Sequence, residues 1–245
     1  MRMGFVPLPF SGGKVNLWYR ACVYNVNYAS IMRRLRINRT GCKIVHMDDI
    51  VKQALAKWPN VPHCYGWLAL DARGAWRMRD ERAQKLGLPG DKINHPALLG
   101  FIARNYGCDE RRCWYFQNGP QRVYVNLDAT PYIARTDPQH GFMLQTGEPL
   151  PGIDEAWIGR HGNLILKQGD KLAQVDDRDM AECLAKMELD GAATQDEALL
   201  NWIAGDAAEG RLTLRLGGTA REVQRLPDED VASYFGFVAQ PQPPA

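Results

Sequence analysis

The sequence predicts an α+β protein of antiparallel β-hairpins, each backed by a helix, with candidate strand-strand-helix repeats arranged in two halves. Three observations carry this. Four stretches run from apolar alternation through a turn and back, capped helical segments follow three of them, and the last two units match each other position by position.

The first helix is expected from Met47, where Asp48 and Asp49 open a segment with apolar residues at Ile50, Val51, Ala54, Leu55 and Trp58. The first hairpin occupies residues 67–79, with its turn between Asp71 and Gly74. Asn94-His95-Pro96 then starts a helix carrying Leu98, Leu99, Ile102 and Tyr106 at helical spacing. The second hairpin, residues 113–127, is rich in aromatic and β-branched residues and has Asn118-Gly119 as its turn signal; Pro120 behind it lacks an N–H and can alter the register. The third pairs 163–166 with 172–175, and a helix follows Asp176 and Asp177. A capping box, Thr194 with Glu197, starts a helix bearing Leu199, Leu200, Trp202 and Ile203. The fourth hairpin pairs 211–216 with 220–223, and Pro227-Asp228 leads into a helix that buries Val231, Tyr234 and Phe235.

Proline and glycine crowd residues 135–156, which places the expected division near residue 150. The predicted organisation is a basic leader (1–46), an N-terminal α+β half (47–150), a C-terminal α+β half (151–239) and a disordered tail (240–245) whose proline-rich text cannot build a core. The leader holds eight of the thirty lysines and arginines and no carboxylate. Its prolines and glycines interrupt any signal-peptide core, and it is poor in serine for a transit peptide. It is expected to be disordered or spurious, with Met47 as an alternative start and a functional basic arm as the competing reading.

The overall charge of +2 therefore covers a net acidic body. Nucleic acid is disfavoured as a partner, since phosphate affinity rests on basic charge. The longest apolar stretch, 97–103, is too short to span a bilayer. Six dispersed cysteines, Cys22, Cys42, Cys64, Cys108, Cys113 and Cys183, read as reduced thiols of a cytoplasmic protein.

Residues 67–76, Ile93-Asn94-His95, residues 114–125 and Thr130-Pro131-Tyr132 together resemble an uncharacterised proteobacterial family of unknown function. The order hairpin, helix, aromatic hairpin is also similar to a second bacterial family with repeated hairpin-helix units. The resemblance covers roughly residues 47–180. It implies an α+β fold and carries no activity or catalytic residues.

The chemistry-bearing residues gather around the aromatic hairpin. Arg122, Tyr124 and Asn126 share one strand face by alternation, and Arg104, Asn105, Tyr115 and Gln117 flank it. Arginines beside amides can grip an anion, and a tyrosine ring offers a stacking surface. The expected function is a ligand-sensing or regulatory binding module for a small anionic molecule or a partner segment. Arg122 and Arg104 would be the donors, Gln117 and Asn126 the orienting groups, and Tyr115 or Tyr124 the platform. The plain alternative is a solvated sheet face whose arginine packs on a tyrosine. An enzyme of hydrolase type with an unidentified Cys or His site, and a partner-binding adaptor, are the other classes; Cys64, His95 and Asp71 could be drawn as a triad, but so could arbitrary picks from any chain. No nucleophile elbow, phosphate loop or dinucleotide fingerprint is present, and Gly217-Gly218 reads as a hairpin turn. No cofactor is expected, and no metal: Cys108 and Cys113 form a single wide pair where structural zinc takes two close ones.

Overall fold

The computed structural model describes residues 47–205, 210–216, 218–228 and 230–244. The basic leader lies outside them. The chain runs α1 (Asp49–Lys57), β1 (Cys64–Leu70), β2 (Trp76–Met78), α2 (Glu81–Lys85), β3 (Asp91–Lys92), α3 (Pro96–Arg104), β4 (Tyr106–Cys108), β5 (Trp114–Asn118) and β6 (Gln121–Leu127). It continues through β7 (Tyr132–Asp137), β8 (Gly141–Leu144), β9 (Pro149–Leu150), β10 (Glu155–Ile158), β11 (Leu164–Gln168), β12 (Lys171–Val175), a 3₁₀ turn (Asp177–Asp179) and α4 (Met180–Leu184). The remaining elements are β13 (Met187–Leu189), β14 (Ala192–Ala193), α5 (Asp196–Ala204), β15 (Leu212–Leu216), β16 (Thr219–Arg225) and α6 (Val231–Phe235).

The fold is α+β, and all four expected hairpins are present as β1–β2, β5–β6, β11–β12 and β15–β16. Both sheets are mixed. The first has the order β3-β2-β1-β6-β5-β4 and the second β14-β13-β15-β16-β10-β11-β12-β7-β8-β9. Three parallel pairings, β1 with β6, β7 with β12 and β10 with β16, join the hairpins side by side. By sheet membership the change falls at residues 128–131. The proline- and glycine-rich stretch beyond it is built into the second sheet, where Gly141 and Gly147 mark strand turns at φ 77° and 81°.

Several local details differ from expectation. In the second hairpin Asn118 pairs with Gln121, so the turn is Gly119-Pro120 and not Asn118-Gly119. Gly119, at φ 58°, supplies the positive dihedral and Pro120 the fixed one, and Gln117 Nε2 donates to Gly119 O at 2.9 Å. α5 starts behind Gln195 without a side-chain cap. Thr194 is drawn off because its Oγ1 donates to Met187 O at 2.7 Å. Of residues 240–244, expected as a disordered tail, Pro241 is buried and the other four are exposed, and three main-chain bonds hold the segment just before them.

The main core fills the second sheet, with Leu164, Leu166, Leu212 and Leu214 fully buried. On its other side Trp157, Ile165 and Leu172 are covered by Val231, Phe235 and Phe237. The first sheet buries Trp114, Phe116, Val123, Val125 and Leu127 on one face, and α3 lies over it through Phe101, edge-on to Phe116 at 5.3 Å.

The sheets are tied by aromatic contacts and by charge. Tyr106 meets Trp76, Trp114 and Tyr132 at ring separations of 5.1, 5.0 and 5.8 Å, and its hydroxyl donates to Pro131 O. The β1–β2 turn docks on the second sheet at Gly74, where a Cβ would stand 3.1 Å from the Gln145 side chain and the φ of 77° disfavours any other residue. Beside it Arg73 grips Asp177 with both ends of its guanidinium, at 2.9 and 2.7 Å. Asp176 is fully buried between Arg178 and Arg135.

Burial alone would raise the Asp176 carboxyl, but the Arg178 guanidinium and main-chain N–H hold it at about 2, below the ordinary 3.8. A carboxyl depressed on folding contributes stability above about pH 4 and loses it as pH falls through about 2. Asp176→Asn leaves two guanidinium groups short of a partner. Urea unfolding at neutral pH is expected to show a loss of about 2–3 kcal/mol, and the gap from wild type should close on acidification.

Candidate functional site

Cross-strand pairing settles which side chains share a face. Tyr115 lies opposite Tyr124 and Gln117 opposite Arg122, so these four and Asn126 stand on the same side of β5–β6. Phe116 and Val123 point the other way, towards α3. Five of the seven expected site residues are therefore brought together.

Arg104 and Asn105 are not among them. Arg104 closes α3, whose Phe101 packs on the opposite face, and its Nε bonds Asp48 Oδ1 at 3.1 Å. Asn105 is buried; its Oδ1 accepts from Asp48 N and its Nδ2 donates to Phe101 O. Both residues fasten the start of α1. The shared site expected of Arg122 and Arg104 is not formed.

On the face itself the arginines stack on tyrosines. The Arg122 guanidinium carbon lies 4.5 Å from the Tyr115 ring centroid, and that of Arg111 lies 5.3 Å from the Tyr124 centroid. The two rings are neighbours, with centroids 5.9 Å apart. Tyr65, on β1, stacks on Tyr124 at 4.5 Å, and His63 approaches the same ring edge-on at 5.8 Å. Gln117 is buried and serves the turn. Asn126 Oδ1 is buried and finds no hydrogen-bond partner among the described residues.

Asp109 organises this wall from below. Its Oδ1 accepts from Arg111 N and Cys113 N, both at 2.9 Å, while its Oδ2 accepts from Tyr124 Oη at 2.8 Å and Arg111 Nε at 3.2 Å. Arg111 Nη2 also reaches Tyr65 Oη at 3.3 Å. Sequence reasoning missed Asp109 and Arg111 because they sit between Cys108 and Cys113, which were weighed for metal. The available signal was an aspartate followed two residues later by arginine in a short polar loop.

The electrostatics follow from the geometry. Burial and the Asp109 carboxylate push the Tyr124 phenol up to about 12. Burial lowers His63, and the nearby charges of Arg122 and Arg111 lower it further. Arg122 and Arg111 are the cations of this face and Asp109 its buried anion, paired with Arg111, and no carboxylate lies within ion-pairing distance of Arg122 among the described residues.

The enzyme constellation is not assembled. Cys64 opens β1 and Asp71 follows its end, about 20 Å apart at strand rise, and Asp71 is engaged by Arg77 and by the turn N–H groups of Arg73 and Ala75. A cavity of about 400 Å³ beside the end of β10 is lined by Arg160, His161 and Asp228, where Arg160 is already paired with Asp228 at 2.8 Å.

The DUF2944 family model, described as "Protein of unknown function (DUF2946)", matches residues 47–242. The chain belongs to this family. The match covers both sheets and the whole arginine-tyrosine wall, and it agrees with the resemblance to a family of unknown function. No curated protein matches this DUF2944 member. Among solved structures it is similar to a DUF1285 family protein from Silicibacter pomeroyi DSS-3, at 13% identity and a TM-score of 0.42, over 69% of this chain and 86% of that one. No described helix is long and apolar enough to cross a membrane.

Asp109→Asn in the DUF2944 chain should lower the Tyr124 phenol from about 12 towards its ordinary 10.0, because the charge opposing its ionisation is gone. Tyrosine ring-carbon shifts across an alkaline titration read this directly. The same variant is expected to lose about 2 kcal/mol of stability, as buried donors lose their acceptor.

Proposed function

We propose that this protein is a cytoplasmic binding module for a small anionic molecule, held at the first sheet by Arg122 and Arg111, whose guanidinium groups lie over the buried rings of Tyr115 and Tyr124, so that the rings fix the arginines and do not themselves meet the ligand. One observation carries the reading. Two guanidinium groups stand over adjacent aromatic faces, and Arg122 presents donors that no described carboxylate takes up. An arginine stacked on a ring keeps its fork fixed, so an incoming carboxylate or phosphate meets a preorganised partner. Half-burial strengthens such contacts beyond their worth in open water. The buried thiols of Cys113 and Cys183 fit a reducing compartment. Arg104 has no part in this site.

His63 is the built-in reporter. Arg122 and Arg111 depress it, Asp109 raises it, and an anion bound beside the arginines would raise it again. Titration of the full chain with inorganic phosphate and with benzoate, followed by imidazole NMR shifts, is expected to move His63 and to raise its pKa. Arg122→Ala should weaken that response by about tenfold or more, the worth of one charged contact of roughly 1.4 kcal/mol, and should raise the His63 pKa even without ligand. Equal responses in wild type and Arg122→Ala would refute the site.

A further inference from the structure

Beyond α6 the chain crosses from one sheet to the other. Phe237 packs with Val231 and Phe235 over Trp157 of the second sheet, and the next residue, Val238, packs on Cys113, Tyr115 and Tyr124 of the first. This inner part is well anchored. Phe237 N donates to Ala232 O, Val238 N to Arg112 O, and Leu127 N to Ala239 O.

The outer part, residues 240–244, is held differently. Pro241, Pro243 and Pro244 have no N–H to give, so the segment cannot extend the ladder that fixes Val238 and Ala239. Among the described residues its attachments are the burial of Pro241 and one hydrogen bond, from Arg111 Nη1 to Gln242 O at 3.4 Å. That bond uses one of the two cations of the proposed site. A main-chain carbonyl with a partial negative charge stands where a ligand oxygen would bind Arg111.

We infer that residues 240–244 act as an internal competitor of the anion site, a strap whose Gln242 carbonyl must leave Arg111 before an anion can bridge Arg111 and Arg122. This rests on the function proposed above. A charged ligand oxygen makes a stronger hydrogen bond to guanidinium than a neutral carbonyl does, so a ligand displaces the strap at the cost of opening it. The apparent affinity is then reduced by the fraction of chains in which the strap is open. The hinge is set at Ala239, where the ladder ends and the prolines begin.

The test compares phosphate binding, read at His63, in the full chain, in a chain ending at Ala239 and in full-length Pro241→Ser. The last keeps the length and loosens the buried anchor. Both altered chains are expected to bind phosphate about 3- to 10-fold more tightly, the factor that one modest hydrogen bond commands, and addition of Arg122→Ala should abolish the gain. Protection of the Val238 amide against hydrogen exchange should persist in both, showing that the inner anchor stays in place. Unchanged or weaker binding in both, with binding still lost in Arg122→Ala, overturns the strap and leaves the site standing. A His63 that ignores phosphate in all three chains overturns the site and the strap with it.

Discussion

The Asp109 carboxylate is the contact on which the first sheet's outer face depends. An ionised carboxylate buried to this degree is costly unless its oxygens are filled, and here four donors fill them. The consequences spread outward. Bonds to Arg111 N and Cys113 N close the β4–β5 turn, in which Arg112 takes the positive φ of 62° that a side chain ordinarily avoids. The turn then aims Arg112 O at Val238 N, which brings the C-terminal segment onto the sheet. Through Nε the same carboxylate lays the Arg111 side chain over Tyr124, and through Tyr124 Oη it fixes the ring on which Tyr65 stacks.

The parallel pairings explain why separate hairpins behave as sheets. A hairpin alone leaves two edges of unpaired main-chain groups, and two strands are marginal in water. Pairing β1 with β6 makes the first and second hairpins one surface, so Tyr65 on β1 can reach Tyr124 on β6. Pairing β10 with β16 and β12 with β7 does the same in the second sheet. The site is therefore a product of long-range pairing, although most of its members lie within residues 109–124.

Local text foretold local structure. The four hairpins were legible because alternation and turn residues are encoded within a dozen residues, and α1, α3 and α6 because apolar spacing is, together with an acidic first turn in α1, a proline at the start of α3 and a true cap only in α6. The parallel pairings were not, since they join strands far apart in sequence and leave no local mark. The strands between 132 and 158 were hidden because their glycines and prolines read as a boundary when they serve as tight turns. Within the site, alternation along β6 correctly put Arg122, Tyr124 and Asn126 on one face. It could not show that Asp109 and Arg111 join them, or that Arg104, near in sequence, belongs to a helix on the opposite side. The proline-rich tail was read from composition alone, and the burial of Pro241 follows from residues that precede it and from the sheet they cross.

A second copy of the Asp109 device sharpens the functional reading. Asp176 is also buried, also accepts the main-chain N–H two residues on, and also takes the guanidinium of that same residue, Arg178. The surroundings differ. Around Asp176 the arginines Arg73, Arg135 and Arg178 meet Asp176, Asp177 and Asp179 in direct contact, so each cation has its anion and the cluster works as a clamp between the sheets. Around Asp109, Arg111 shares one carboxylate with a tyrosine hydroxyl, and Arg122 leans on the Tyr115 ring with the Tyr124 hydroxyl as its hydrogen-bond acceptor and exposed Glu110 acting on it only through space. The same turn chemistry thus yields a junction of ion pairs in one place and, in the other, one ion pair, Arg111 with Asp109, beside an Arg122 whose hydrogen-bond partner is the neutral Tyr124 hydroxyl. If the second cluster existed only for stability, partnering Arg122 with a carboxylate as Arg135 is partnered would serve better than a tyrosine face. The Tyr124 hydroxyl is a neutral acceptor, a weaker partner for a guanidinium than a carboxylate.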